Sequence, residues 1–292
     1  MAKPLAGAPV AAALIEAAAR EASALFERGV LPTLAILRLG ERPSDIAYER
    51  GATGRCEKAG IRVRRIPLPA DAPQARLIAE IEALNGDLGV HGILILRPLP
   101  KAMDDNAVRN AVSPEKDIDG ITDAALARVF TGAGAGYAPC TAQACMEILD
   151  YYGIDPTGKR AVVIGRSLVV GRPVAMMLLA RHATVTLCHT RTTRMPAICR
   201  DAELLIVSAG KAHAVGGDCL SPGQVVIDVG VNADASGALC GDVRFEDAEG
   251  IDLAITPVPG GVGAVTTAVL AKHVIAAAGE AARNRFQGSP EP

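Results

Sequence analysis

The 292-residue chain has no tryptophan and only four tyrosines and four phenylalanines, so an aromatic ring among polar residues stands out. Lysine and arginine total 30 against 32 acidic residues, which excludes the basic surplus typical of nucleic-acid-binding proteins. The seven scattered cysteines form no CxxC pair and the five histidines no HExxH spacing, so neither a disulfide framework nor a metal centre is expected. Apolar runs such as "HGILIL" are far shorter than a bilayer span. We therefore expect a soluble, cytoplasmic protein without a signal peptide and without membrane or nucleic-acid partners.

The first half of the chain alternates helical and strand patterns. Helices are predicted near residues 9–28, 47–60 and 73–85, and strands at residues 33–39, 61–68 and 92–96. Strands separated by helix-length segments predict crossover connections and a parallel sheet, so the fold class is α/β.

A Gly-rich stretch at residues 131–138, "TGAGAGYA", predicts a connection between two domains. After it, apolar strands from "RAVVIG" to "LAITPV" alternate with helices, and a long helix is predicted over residues 266–284. Because these strands are nearly continuous apolar runs, helices should cover both faces of their sheet.

The segment "AVVIGRSLVVGRPVAMMLLA" predicts a nucleotide site. Gly165 and Gly171 stand between a buried strand and a helix, an arrangement that presents backbone N–H groups to a pyrophosphate. The G-x5-G spacing differs from GxGxxG, so an ordinary turn between strand and helix is the alternative.

The end of the next strand favours NADP over NAD. NAD sites usually place an acidic residue about 20 residues after the glycine turn, where it binds the ribose 2′-OH. Guanidinium groups can instead bind a 2′-phosphate, although a solvated basic face is the alternative. In place of the acid this chain has His189, Thr190, Arg191 and Arg194, and Arg166 lies in the glycine turn itself.

Three later segments place glycine where a ligand could approach the backbone: "VSAG" (207–210), "DVG" (228–230) and "TPVPGGVGAVT" (256–266). Open α/β sheets bind ligands at the carboxyl ends of their strands. Proline and glycine in such loops give a rigid backbone that a ligand can approach closely. The first two segments add Ala209, Gly210, Val229 and Gly230 to the cofactor candidates.

Seven ordered motifs resemble the methylenetetrahydrofolate dehydrogenase/cyclohydrolase family and together cover nearly the whole chain. They are "GILILRPLP" (92–100), "PEKDIDGIT" (114–122), "APCTAQA" (138–144), "VIGRSLVVGRP" (163–173), "VIDVGVN" (226–232), "GDVRFEDA" (241–248) and "TPVPGGVGAVT" (256–266). The resemblance implies an N-terminal α/β catalytic domain, residues 1–138 with 267–292, whose last helix returns to it. It also implies a Rossmann-type NAD(P)-binding domain, residues 139–266, and a homodimer.

The family oxidises 5,10-methylenetetrahydrofolate with NAD(P)+ and usually hydrolyses the methenyl product to 10-formyltetrahydrofolate. By resemblance, Tyr48 would stack on the folate rings and Asp119 would accept hydrogen bonds from the pterin, a role that suits a carboxylate. The same comparison implies folate contacts from Pro98, Leu99, Pro259, Gly260 and Gly261, and cofactor contacts from Thr141 and Ser167.

Two departures from the family pattern concern catalysis. The family has lysine four residues after the tyrosine, where this chain has Ala52, and a supporting glutamine where it has Leu96. A lysine of lowered pKa suits general acid/base assistance to water, whereas hydride transfer chiefly needs the two reacting carbons aligned. We therefore predict a dehydrogenase with weak or absent cyclohydrolase activity. Arg55 and Arg97 are interpreted as surface or ion-pair residues, because a guanidinium is a poor base.

Three alternatives remain at this point. The first is a fully bifunctional dehydrogenase/cyclohydrolase with a substituted acid/base group. The second is a non-catalytic folate-binding regulatory protein, which the intact glycine turn and Arg166 disfavour. The third is another two-domain NADP oxidoreductase, such as one resembling shikimate dehydrogenase, which the motifs at residues 114–122 and 256–266 disfavour.

Overall fold

The structure is a computed structural model that describes residues 1–287. Within these residues the helices are α1 Gly7–Glu27, α2 Pro43–Lys58, α3 Gln74–Gly86, α4 Asp105–Asn110, α5 Asp123–Thr131, α6 Cys140–Tyr151, α7 Gly171–Ala180, α8 Met195–Arg200 and α9 Val262–Gln287. The strands are β1 Lys3–Pro4, β2 Thr33–Leu39, β3 Arg62–Leu68, β4 Gly92–Ile95, β5 Arg160–Ile164, β6 Thr184–Cys188, β7 Leu204–Val207, β8 Val225–Asp228, β9 Asn232–Ala233, β10 Leu239–Cys240 and β11 Ala254–Ile255.

The chain divides into two compact units. Within the described residues, the N-terminal unit comprises residues 12–140 together with residues 267–287, and its three-stranded sheet has the order β3-β2-β4 with parallel pairing. All four residues of β4 are buried, as are six of the seven residues of β2. Because the central strand β2 and the edge strand β4 are apolar and buried, this sheet has to be covered by other parts of the chain. Most of α9 belongs to this unit, so the last helix returns to the N-terminal domain.

The Rossmann-like unit comprises residues 1–11 and 141–266. Its six-stranded sheet is parallel throughout, with the order β1-β11-β8-β7-β5-β6. The predicted boundary gave residues 1–11 to the other domain, whereas Lys3 N donates to Leu253 O at 2.7 Å and Leu5 N to Ile255 O at 2.8 Å. A two-residue edge strand has no sequence periodicity, so the pattern could not place it.

Helix α9 is long and apolar enough over residues 262–284 to span a bilayer by length and composition, although no uninterrupted apolar run in the sequence has that length. Of its most apolar window, 61% is buried inside the protein. That burial is typical of a core helix, since Ala268, Val269, Leu270 and Ala271 are fully covered by protein.

Helix α2 contains two interior glycines, Gly51 and Gly54, and a Cβ added at either would meet no other atom within 4 Å. Alanine is preferred over glycine in helix interiors, so each change to alanine is expected to stabilise the protein by about 0.5–1 kcal/mol. Urea unfolding measures the effect. Gly60→Ala is the matched control and should destabilise, because Gly60 has a φ of +74°.

Candidate active site

A cavity of about 300 Å³ in the N-terminal unit brings together several residues predicted to bind folate. It is bounded by α2, by the carboxyl end of β4 and by the loop that carries Asp119. Its lining consists of Ser44, Asp45, Tyr48, Leu94, Ile95, Leu96, Arg97, Pro98 and Asp119. Leu99 packs against the apolar core of the unit, and Ala52 does not line this cavity.

Helix α2 orients Tyr48 through the residues that it buries. Asp45, Glu49, Ala52 and Cys56 recur at helical spacing and form its buried stripe. Glu49 accepts a 2.8 Å charged hydrogen bond from Arg38 on β2, which fixes the helix against the sheet. Tyr48 lies beside this stripe and remains 39% exposed at the cavity.

The turn at residues 117–122 presents Asp119 to the cavity. The buried carboxylate of Asp117 accepts the backbone N–H groups of Ile121 at 3.0 Å and Thr122 at 2.8 Å, so the turn is closed by its own side chain. Gly120 has a φ of +70°, and a Cβ there would overlap the backbone of Pro139. The "DIDGIT" motif therefore needs both its first aspartate and its glycine to place the second aspartate.

The polar groups of the cavity have perturbed pKa values. Burial, reinforced by the negative charge of Asp117, raises the pKa of Asp119 from 3.8 to about 7. A hydrogen bond with the Cys140 thiol and the charge of Arg97 oppose this rise. Burial and the nearby Asp119 also raise the pKa of Tyr48, which stays a neutral phenol. The cavity thus combines an aromatic face with a carboxyl group that changes charge near neutral pH.

The two positions predicted to correspond to the family lysine and glutamine carry side chains that cannot move a proton. Ala52 is fully buried and Leu96 is 6% exposed. Arg97 is exposed and pairs with Asp105, which agrees with its interpretation as an ion-pair residue.

Arg55 makes a long-range contact in addition to its predicted place as a surface or ion-pair residue. It is half-buried, and its guanidinium donates a 2.6 Å hydrogen bond to Thr267 Oγ1 on α9. The two residues are 212 positions apart, so no local pattern could reveal the contact.

The turn after β5 has the shape required to bind a dinucleotide. Gly165 has a φ of +115°, and a Cβ there would overlap the carbonyl of Ser208. A Cβ on Gly171 would overlap the carbonyl of Gly165, so the start of α7 packs directly against the turn. Ser167 Oγ accepts the N–H of Val170 at 3.1 Å and shapes the same turn. Only glycine allows this close backbone packing, and the residues present fit a bound pyrophosphate.

The loop after β6 displays basic side chains. Thr192 Oγ1 accepts the N–H of His189 at 2.9 Å, and His189 Nδ1 accepts the N–H of Arg191 at 3.1 Å. These bonds close the loop and leave Thr190 and Arg191 exposed. Arg194 has a left-handed backbone with φ of +57° at the start of α8. Arg166, in the preceding glycine turn, is also exposed.

A second cavity, of about 280 Å³, lies at the carboxyl end of β8 in the Rossmann-like unit. Its lining includes Val229, Gly230, Pro259, Gly260 and Gly261, so the Pro/Gly loop and the end of β8 share one space. Ala209 and Gly210 are exposed after β7, and Thr141 is half-buried at the start of α6. No group of three or more His, Cys, Asp or Glu side chains suited to a metal ion occurs within residues 1–287.

Several site-forming residues were missed from the sequence. Asp117 and Cys140 adjoin Asp119, and the carboxylates of Asp228 and Asp242 lie buried at the carboxyl edge of the Rossmann-like sheet. The sequence did contain a signal for Asp228 and Asp242, which are the aspartates of "DVG" and "GDV". An aspartate beside a buried strand needs hydrogen-bond or charged partners, because an unpaired buried charge is costly.

A glycine turn at the end of β5, basic residues at the end of β6 and a separate cavity with a tyrosine and a carboxyl group define a two-domain, dinucleotide-dependent enzyme. Residues 5–119 match the catalytic domain of tetrahydrofolate dehydrogenase/cyclohydrolase, and residues 139–282 match its NAD(P)-binding domain. The chain belongs to the tetrahydrofolate dehydrogenase/cyclohydrolase family, as the seven motifs predicted.

Individual relatives agree with this assignment. The chain is 45% identical to the "Bifunctional protein FolD" of Clostridium kluyveri, over 93% of this chain and 95% of that protein. The crystal structure of the bifunctional FolD from Campylobacter jejuni has a TM-score of 0.92 at 36% identity and covers 98% of this chain and 100% of its own. The Trypanosoma brucei enzyme, solved with NADP and an inhibitor, has a TM-score of 0.88 at 33% identity, with 99% of each chain covered.

Proposed function

We propose that this protein catalyses the reversible oxidation of 5,10-methylenetetrahydrofolate to 5,10-methenyltetrahydrofolate with NADP+. The observation that carries the proposal is the cavity where Tyr48 and Asp119 meet, because an aromatic face and a half-buried carboxyl suit a pterin with adjacent N–H donors. Membership of the family and its NAD(P)-binding domain support the same reaction.

The proposed reaction needs alignment more than acid/base chemistry. A C–H bond of the methylene bridge breaks, its electron pair leaves with the hydrogen as hydride, and the folate nitrogens stabilise the resulting cation. When bound, the nicotinamide cofactor supplies the hydride acceptor. Tyr48 would stack on the folate and Asp119 would hold its pterin, so that the donor carbon is fixed in place. No side chain has to gain or lose a proton.

The hydrolytic step has two candidate answers. The curated relatives are named as bifunctional, so the comparisons support a protein with both activities better than they support a dehydrogenase alone. The opposing observation is that Ala52 and Leu96 offer no titrating group, which favours weak hydrolysis. Assays of both reactions on the purified protein decide between them. Hydrolysis of the methenyl compound well above its spontaneous rate would establish the bifunctional enzyme, and absence of NADP+ reduction would overturn the proposal as a whole.

Cofactor choice provides a further prediction. Arg191 is exposed on the loop after β6, where a ribose 2′-phosphate would lie. Arg191→Ala is expected to raise the KM for NADP+ about tenfold and to change the KM for NAD+ little, because only NADP+ carries the second phosphate. Initial rates with each cofactor measure the ratio. An equal effect on both cofactors would contradict the assignment of the 2′-phosphate to this loop.

We further propose a cytoplasmic homodimer that takes tetrahydrofolate derivatives as its small-molecule partners. The bacterial origin of the Clostridium kluyveri and Campylobacter jejuni relatives supports the location, and the folate enzymes among the relatives support the substrate class. Light scattering of the purified protein tests the dimer.

A further inference from the structure

Two buried carboxylates in the Rossmann-like unit take no part in the proposed reaction. Asp228 is 3% exposed and Asp242 is fully buried. Burying charged groups is costly unless every oxygen has a partner, and placing two like charges close together adds to the cost. Burial, and secondarily the charge of Asp242, raises the pKa of Asp228 to about 6. Two neighbouring buried carboxylates are therefore unfavourable for stability by themselves, which suggests that they are present for a functional reason.

The carboxylate of Asp242 joins two loops at the carboxyl edge of the sheet. One oxygen accepts the N–H of Gly210 at 2.9 Å, and the other accepts the N–H of Lys211 and the side-chain amide of Asn232, both at 2.9 Å. Gly210 and Lys211 follow β7, whereas Asn232 lies beyond β8. A single side chain therefore fixes the distance between the loops at residues 208–211 and 228–232.

Asp228 in turn fixes the segment that carries Asp242. One of its oxygens accepts the N–H groups of Gly230 at 3.0 Å and Asp242 at 3.1 Å, and the other accepts the N–H of Val243 at 2.9 Å. Each carboxylate therefore accepts hydrogen bonds from backbone N–H groups that are more than ten residues away in the sequence.

The backbone around the two carboxylates is packed so closely that side chains are excluded. A Cβ on Gly230 would overlap the carboxyl group of Asp242, and a Cβ on Gly241 would overlap that of Asp228. Gly230 and Gly241 thus allow the two carboxylates to reach their backbone donors. Asp228 and Asp242 are linked directly, because Asp228 accepts the backbone N–H of Asp242.

We propose that Asp242, supported by Asp228, is the positioning residue that sets cofactor affinity by fixing the loops at residues 208–211 and 228–232. The inference rests on the proposed function, because it requires NADP+ to contact the predicted cofactor residues of these loops, Ala209, Gly210, Val229 and Gly230. Open α/β sheets bind ligands at the carboxyl ends of their strands. The loops that contact a ligand keep their geometry only if hydrogen bonds from neighbouring residues hold them in place.

The test is Asp242→Asn, which keeps the shape but turns an amide N–H₂ group toward backbone donors. Direct titration with NADP+ is compared with titration by adenosine 2′,5′-bisphosphate, which lacks the nicotinamide half. The strand order β6-β5-β7-β8 places the two loops on the side of β5 away from Arg191, the predicted 2′-phosphate contact. We expect NADP+ binding to weaken about tenfold or more and the fragment to lose about twofold or less.

Two further variants keep the test decisive. Asn232→Ala removes one of the three donors to Asp242 and should weaken NADP+ binding about threefold, which serves if Asp242→Asn does not fold. Asp247→Asn is the matched control, because Asp247 accepts the N–H of Gly217 in the same unit but outside both loops, and it should leave NADP+ affinity unchanged.

Unchanged NADP+ affinity in Asp242→Asn, or equal losses for NADP+ and the fragment, would overturn the inference. Failure of the unsubstituted protein to bind NADP+ would instead overturn the proposed function, so the two failures are distinguishable.

Discussion

The double substitution Ala52→Lys with Leu96→Gln is expected to raise the rate of methenyltetrahydrofolate hydrolysis by about 10²-fold, because it introduces an amine that can exchange a proton with the attacking water. Ala52 lies one helical turn after Tyr48, so the new side chain would start on the face that carries the tyrosine. Oxidation of the methylene compound should change much less, since it requires no acid or base. Parallel rate measurements of the two reactions give the ratio that checks this.

The control is Ala52→Met with Leu96→Gln, which adds similar bulk at the same buried position but no titrating group. It reports the cost of enlarging a fully buried side chain, which is typically about 1–3 kcal/mol. An unchanged ratio of the two activities in the lysine variant would contradict the assignment of position 52 to acid/base chemistry, as would an equal gain in the methionine variant.

Replacing Asp119 by asparagine is expected to lower kcat/KM for methylenetetrahydrofolate about 100-fold, because a site built to accept hydrogen bonds from the pterin would present an amide N–H₂ group to them. NADP+ binding should be unaffected, since Asp119 is not among the predicted cofactor contacts. Steady-state kinetics with the folate varied, and direct titration with NADP+, separate the two effects.

The same change is expected to alter the dependence of stability on pH. The pKa of Asp119 is raised from 3.8 to about 7, so between these values the folded protein binds more protons than the unfolded chain and its stability falls as pH rises. The full shift corresponds to roughly 4 kcal/mol, and partial exposure of the carboxyl reduces the effect to about 1–2 kcal/mol. Asp119→Asn should therefore stabilise the ligand-free protein at pH 8.

Urea unfolding at pH 5 and pH 8 measures this effect, with Asp123→Asn as the control. Hydrogen bonds from Asn110 and Arg109 lower the pKa of Asp123, so this carboxyl is already ionised at both pH values. The Asp123→Asn variant should therefore keep the fall in stability that the unsubstituted protein shows between pH 5 and pH 8. A decline that is the same in Asp119→Asn and in the unsubstituted protein would contradict a raised pKa at Asp119.

The sequence was sufficient for the regular parts of the fold. The predicted strand at residues 33–39 coincides with β2, and the parallel sheets follow from apolar strands separated by helices. The place of residues 1–11 in the Rossmann-like unit could not be predicted from the sequence pattern, because β1 is defined only by its pairing with β11. The long predicted helix at residues 266–284 begins earlier, at Val262, directly after the Pro/Gly loop.

The candidate site was predictable to the extent that motifs carry it. Tyr48, Leu96, Pro98 and Asp119 line one cavity. Leu96, Pro98 and Asp119 lie in the motifs at residues 92–100 and 114–122, whereas Tyr48 lies outside the seven motifs and was identified by its resemblance to the family's tyrosine. The bond between Arg55 and Thr267 could not be read from the sequence, because it depends on where α9 packs. The partners of Asp242 are likewise dispersed over residues 210–232, and only the three-dimensional arrangement shows that they converge.

Helix α9 makes the N-terminal unit discontinuous in sequence. Its residues from Thr267 onward complete the core of a unit whose other residues end at Cys140, and Val274 and Ala278 are among the side chains that become fully covered. Contacts between such distant parts of the chain carry a high loop-closure cost and slow folding. A fragment ending at residue 140 would lack this helix and expose apolar surface, so an isolated N-terminal domain for biophysical work has to be made by joining the α9 segment to it.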